Sequence, residues 1–225
     1  MPNKLVVITE FGWALRNNPL RFVCNNWGTS QKTRAKKEKG KCTVKKILTG
    51  FGIIFIILLA YTLNEYRLFS KTSKGIHIDS KVNMSSAFLI IDIQNDLTQL
   101  NGKVRVDQKQ VNQIISNINK ISDILNINNF DFIYIRHEYQ SPVFKIILKN
   151  ALSAKSNGAN FDERLNILDS TIFIKNYMDP FSNNQFQTYL NSKNIDNLLI
   201  CGIDVKYCIN KTALSAIQKG YIISI

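Results

Sequence analysis

The sequence predicts a doubly wound, mainly parallel α/β sheet with helices on both faces, preceded by one transmembrane helix. Three observations carry this expectation. From residue 86 onward, short apolar runs alternate with helix-period segments, the pattern of successive β-α units. Those runs are apolar at nearly every position instead of every second one, which fits strands covered on both faces. Ahead of them, residues 47–63 (ILTGFGIIFIILLAYTL) carry no charge.

That uncharged segment comes first in the chain. At about 1.5 Å per residue it is near the lower limit for crossing a bilayer core. A buried soluble helix would show a polar stripe, and this one has none. Lys45 and Lys46 abut one end, while Asn64, Glu65 and Arg67 close the other. A cleaved signal peptide is the competing reading, and Ala60-Tyr61-Thr62 is its best small-residue site; the anchor is favoured. Residues 1–46 form a basic tail with eight lysines and arginines between Lys32 and Lys46. The far side carries only Arg67, Lys71, Lys74 and Lys81. The positive-inside rule then places the N-terminus in the cytoplasm and the C-terminal domain outside it. The tail has no core pattern, and a start near Val44 would read as an ordinary anchor, so an over-extended start is expected. Residues 64–85 are mostly polar and read as a linker.

The α/β elements follow in order. Residues 87–93 (AFLIIDI) read as a central parallel strand. Asp107 is a plausible N-cap, and Val111, Ile114, Ile115, Ile118, Ile121, Ile124 and Leu125 follow it at helical spacing. Residues 130–136 (FDFIYIR) are the second strand. Residues 151–168 mix loop and short helix. Residues 171–175 (TIFIK) are the third strand, and Ser182 is an N-cap for a helix ending near Leu190. Residues 197–201 (NLLIC) are the fourth strand. A helix over 207–219 stops at Gly220, and residues 221–225 begin a fifth strand. No internal repeat is visible.

Charge and cysteine content narrow the function. The net charge is +13, but residues 1–46 hold eleven basic and two acidic residues, against fourteen and twelve in residues 86–225. The folded part is therefore nearly neutral and lacks the basic face of a nucleic-acid binder. The four cysteines, Cys24, Cys42, Cys201 and Cys208, form no CxxC pair, and there are two histidines. A Cys/His zinc site is not expected, nor is a disulfide scaffold in a chain of this size. Cys201, inside a strand, reads as core.

In open α/β sheets ligands bind beyond the carboxyl ends of the strands. Asp92 lies near the end of the first strand, Lys175 ends the third, and Cys208 opens the helix after the fourth. A cysteine at a helix N-terminus gains thiolate character from the helix dipole. A nearby ammonium favours the thiolate further, and a carboxylate can accept the proton. Taken singly, the aspartate and the lysine read equally well as a cap or a solvated charge, and a lone cysteine is more often a small core group.

Four segments together resemble the isochorismatase-like cysteine hydrolases: IIDIQNDL at 90–97, GANFDERL at 158–165, FIKNYMDPF at 173–181 and LLICGIDVKYCINKTALSAIQKGY at 198–221. The resemblance runs from residue 86 to the end in collinear order. It implies a catalytic triad of Asp92 as base, Lys175 as stabiliser and Cys208 as nucleophile. It also implies a cis peptide joining Ile203 to Asp204, with the amides of Asp204 and Cys208 as an oxyanion hole. The implied reaction is cleavage of a small-molecule amide-type C–N bond through a covalent acyl-enzyme. An enol ether hydrolase acting on an isochorismate-like substrate, or an inactive small-molecule-binding relative, are the alternatives.

The sequence also departs from the family pattern. Many relatives have Ala-Thr-Asp between the glycine and the cysteine, where this chain has Asp204, Val205, Lys206 and Tyr207, so the pocket rim is expected to differ. Nicotinamidases carry a metal cluster of an aspartate and several histidines after the second strand. Here that stretch reads RHEYQSP, residues 136–142, with one histidine, so no metal and no cofactor is expected. His137 with Glu138, Gln94 and Phe181 are candidate substrate-binding residues; a structural histidine, a solvated glutamine and a core phenylalanine are the respective alternatives. Relatives continue past this point through another helix and strand, so an incomplete domain is expected, with an open sheet edge that favours homo-oligomers.

Overall fold

The structure is a computed structural model. It describes residues 31–225 except 76, 79–84, 105 and 170, with side chains described from Lys46 on. Most of the basic tail and part of the expected linker lie outside the described residues. Contacts divide the chain into Met1–Ile54 and Phe55–Ile225. In the first unit the described residues are helical, the beginning of α1 (Gln31–Phe69).

The second unit begins with the rest of α1. This helix runs past residue 63, so the expected linker is six residues shorter at its start. Asn64, Glu65 and Arg67 end the apolar run, but none of them breaks a helix. Polar residues on the outer face are compatible with continued helix, whereas Gly or Pro would stop it.

The remainder is a five-stranded, all-parallel sheet in the order β3-β2-β1-β4-β5. The strands are β1 (Ser85–Ile91), β2 (Asp131–His137), β3 (Ile172–Lys175), β4 (Ile195–Gly202) and β5 (Ile222–Ser224). The order reverses direction on either side of β1, which creates a crevice at the carboxyl ends of the central strands.

Both faces of the sheet are buried, which is why the strands read as continuous apolar runs. Ala87, Leu89 and Ile91 point to one face, where Phe186, Leu190, Ala213 and Ala216 of α5 (Asn184–Ser192) and α6 (Asn210–Gln218) meet them. Phe88 and Ile90 point to the other, against Val111, Ile115 and Ile118 of α3 (Gln108–Ile127). The period-2 alternation of β1 thus feeds two cores.

The termini of these elements follow their local chemistry. Asp107 caps α3 by accepting from the amides of Lys109 and Gln110. The cap of α5 is Asn183, which accepts from Gln185, whereas Ser182 sits in a 3-10 turn (Pro180–Ser182). Gly220 ends the α6 segment at φ 87°, a conformation that favours glycine. Two further short helices, α2 (Asn95–Thr98) and α4 (Pro142–Ile147), lie beside the crevice.

Candidate active site

The carboxyl ends of four strands supply the site. β1 ends at Ile91, and the next residue, Asp92, takes φ 59°. Aspartate tolerates this left-handed conformation better than most residues, and it turns the chain over at the mouth of the crevice. On the neighbouring strand, Gly202 ends β4 at φ 138°, where a Cβ would meet the Ile91 carbonyl oxygen at 2.0 Å. Only glycine lets β4 leave the sheet this close to β1. The next peptide, Ile203–Asp204, is cis. The Asp204 side chain then caps a π-helical turn (Val205–Ile209) by accepting from the Lys206 amide at 2.8 Å. Cys208 lies inside that turn, one turn before α6 proper.

β2 and β3 deliver the remaining groups. His137 and Lys175 are register partners at the ends of these strands. β3 is two strands from β1, roughly 10 Å at normal strand spacing, so only a long side chain can reach Asp92 from it. Lys175 does. Its Nζ donates to Asp92 Oδ2 at 2.8 Å and to Cys208 Sγ at 3.1 Å, and lies 2.8 Å from His137 Nδ1. An ammonium has three donors and no acceptor, so all three are used. His137 Nδ1 must then be the acceptor, and the ring proton sits on Nε2.

The electrostatics follow from burial opposed by pairing. Burial would lower Lys175, but the charges and hydrogen bonds of Asp92 and Cys208 outweigh it and raise the ammonium above its ordinary value. Burial also pushes the Asp92 carboxyl up, against the pull of Lys175, which makes it a stronger base than an exposed aspartate. Burial and the Lys175 charge hold His137 well below 6.5, so it is neutral. Burial and the adjacent Asp92 charge push the Cys208 thiol up to about 12, with Lys175 opposing. The resting nucleophile is therefore a thiol beside a base.

Asp92, His137 and Cys208 place their donor atoms within 4.8 Å of one another, a set that could hold a metal ion. It does not fit one here, because the Lys175 ammonium already sits in hydrogen-bond contact with all three. The stretch after β2 is spent elsewhere as well. Arg136 pairs with Glu138 at 3.0 Å, and the Tyr139 ring packs 4.2 Å from His137 and 5.8 Å from Phe144.

A cavity of about 490 Å³ opens over these groups. Asp92, His137, Ile203, Asp204 and Cys208 line it, joined by apolar and aromatic side chains from α1, α4 and the loops. Two expected substrate contacts need correction. Gln94 does not line the cavity; its amide is fully engaged with backbone, donating to the His137 and Ala159 carbonyls at 3.0 and 2.8 Å and accepting from the His137 amide at 2.8 Å. It clamps β2 to the loop that carries the GANFDERL segment. Phe181 is buried against Phe186 and Tyr221 in the core beneath α6. Its sequence position after the lysine motif could not distinguish wall from core. Conversely, Tyr66 and Phe69 of α1 line the cavity, although the sequence placed them in a linker. Phe69 is 7% exposed and packs 4.5 Å from Phe144 and 5.4 Å from His137, ring centre to ring centre. The signal available in the sequence was the helical phase of Tyr66 and Phe69, three residues apart on one face.

Comparison with known proteins agrees with this architecture. The isochorismatase domain matches residues 86–225. An uncharacterized isochorismatase family protein of Bacillus subtilis is 24% identical over 140 residues, covering 62% of this chain and 73% of its own. Among solved structures, an isochorismatase-like hydrolase from Alkaliphilus metalliredigens superposes with a TM-score of 0.56 at 20% identity, over 62% of this chain and 78% of its own. A nicotinamidase from Bacillus subtilis superposes with a TM-score of 0.56 at 19% identity, over 62% and 82%. These likenesses establish the fold, and with the domain match they make the chain a member of the isochorismatase family of hydrolases.

Proposed function

We propose that the protein is a membrane-anchored cysteine hydrolase that cleaves a small-molecule amide-type C–N bond through a covalent acyl-enzyme, with Asp92, Lys175 and Cys208 as its triad. The observation that carries this reading is the buried ammonium of Lys175, held between the Asp92 carboxylate and the Cys208 sulfur.

In the first step Asp92 takes the Cys208 proton and the sulfur attacks the substrate carbonyl. Lys175 offsets the charge as it moves from carboxylate to sulfur. The amides of Asp204 and Cys208 are the proposed donors to the tetrahedral oxyanion, worth on the order of 3 kcal/mol each. Collapse breaks the C–N bond, Asp92 returns its proton to the leaving amine, and a thioester remains. Water then attacks that thioester, giving a proton to Asp92. Cys208 leaves as the carboxylic acid is released, and the proton returns to sulfur. One amide and one water become one acid and one amine.

An isochorismate-like substrate carries carboxylates. Among the described lining residues the cavity offers no free cation to meet them, since Lys175 is fully engaged. This favours the amide reading over enol ether hydrolysis. An inactive relative would have no use for the complete triad. The test uses the best substrate from a panel of primary amides. Cys208→Ala, Asp92→Asn and Lys175→Ala should each lower turnover by about three orders of magnitude or more, because the three act as one unit. Near-normal turnover by Cys208→Ala would refute the mechanism.

A further inference from the structure

Resting on that reading, the geometry points to a substrate of a particular class: a neutral carboxamide whose acyl group is long and apolar. Three independent features of the cavity support this.

The first is what the cavity can hydrogen-bond. At its floor, two buried side-chain atoms have no partner: Asp92 Oδ1, an acceptor, and His137 Nε2. Since Nδ1 accepts from Lys175, Nε2 carries the ring proton and is a donor. One unpaired acceptor and one unpaired donor on residues that line the cavity suit a neutral polar group such as a carboxamide better than an anion.

The second is charge. The ammonium at the floor is saturated by Asp92, His137 and Cys208, and the other acidic residue at the cavity, Asp204, is exposed. A carboxylate entering here would lose its hydration, meet no free cation among the described residues and face Asp204. Burying an uncompensated charge is costly, so the cavity selects against acids.

The third is shape and source of the walls. A volume of about 490 Å³ lies in the range of pockets for drug-sized ligands and far exceeds what a carboxamide group alone needs. Phe69, Phe144, Ile147, Val106 and Met178 surround the excess space. Phe69 comes from the last turn of α1, so the helix proposed to anchor the protein also forms one wall of its substrate pocket. Ile147 of α4, which lines the cavity, is itself 61% exposed, so the apolar lining reaches the surface.

The test uses the full chain in phosphatidylcholine nanodiscs, with ligand partition into empty discs subtracted. Binding of straight-chain primary amides from propanamide to decanamide is measured on Cys208→Ala, and turnover on the unaltered protein. Affinity should rise about fourfold per added methylene until the cavity is filled, the factor that corresponds to roughly 0.8 kcal/mol per buried CH₂. An amide of equal length ending in a carboxylate should bind at least tenfold more weakly. Affinity that is flat along the series, or equal for the carboxylate-ended amide, overturns the inference. Graded binding without any turnover leaves the assigned pocket standing and removes the hydrolase reading instead. Turnover with no preference for chain length does the reverse.

Discussion

Lys175 reaches two strands across the sheet to place one ammonium among three acceptors, and its position decides how the surrounding residues behave. Replace that ammonium by a divalent ion and the carboxylate, imidazole and thiol would become ligands; with it present, they are hydrogen-bond partners of a side chain. The expected consequence is that a chelator such as EDTA leaves amide hydrolysis unchanged, while iodoacetamide abolishes it by alkylating Cys208. Activity lost on chelation and restored by zinc or iron would contradict the assignment. That Asp92, Lys175 and Cys208 meet at one place was legible in the sequence because each sits in a motif near a strand end, and strand ends are where such sheets gather polar groups. Gln94 and Phe181 sit in the same motifs, yet one clamps backbone and the other packs core. Residue type and position fix neither where a side chain points nor which neighbour will use its hydrogen bonds. His137 was legible only as a histidine near the site; its role as third acceptor follows from its pairing with Lys175 across β2 and β3.

At the scale of elements, the strands and the capped helices were readable within a residue or two, because their period and cap chemistry are local. The π-helical turn at Cys208 was not, since its sequence reads as ordinary helix. The loop between β2 and β3 was also opaque, because long-range pairs order it. In that loop Asp162 accepts from Thr98 Oγ1 at 2.5 Å and from Arg164 through Nε at 2.8 Å and a terminal nitrogen at 2.6 Å. Burial would raise its carboxyl, but Arg164 and Thr98 hold it at about 2. An unfolded aspartate titrates near 3.9. The folded value is the lower one, so this clasp stabilises the fold fully above pH ~4 and its contribution disappears as pH falls toward about 2. Because Arg164 is 39% exposed, screening reduces the effect to about 1–2 kcal/mol. Urea melts at pH 7 and pH 2.5 should therefore show Asp162→Asn less stable than the unaltered chain at pH 7, with that difference cut to about a third at pH 2.5. An equal difference at both pH values would mean that Asp162 acts through packing and not through its charge.

For the whole molecule, the question is where the domain lies relative to a bilayer. The apolar stretch of α1 spans Lys46–Phe69, 24 residues of which Phe69 alone is buried. At about 1.5 Å per residue it exceeds the roughly 30 Å of a bilayer core even if its last turn stays committed to the cavity wall. Large side chains such as Phe51, Phe55 and Ile56 are 64–67% exposed along it, far more contiguous apolar surface than a soluble protein normally presents to water. Length and composition alone do not orient the helix; the proposed orientation rests on the flanking charge. Lys32 to Lys46 crowd one end, and only Arg67, Lys71, Lys74 and Lys81 follow the other. Short basic flanks are usually retained on the cytoplasmic side, and on that ground we propose that the hydrolase domain lies outside. Membrane fractionation should therefore recover the full chain in the pellet, resistant to carbonate extraction. Protease added to spheroplasts of an expressing bacterium should digest residues 86–225 and leave the basic end protected. Recovery in the soluble fraction would remove the anchor. Protection of the domain in intact spheroplasts, with digestion only after lysis, would keep the anchor and reverse its orientation, placing the apolar cavity on the cytoplasmic side.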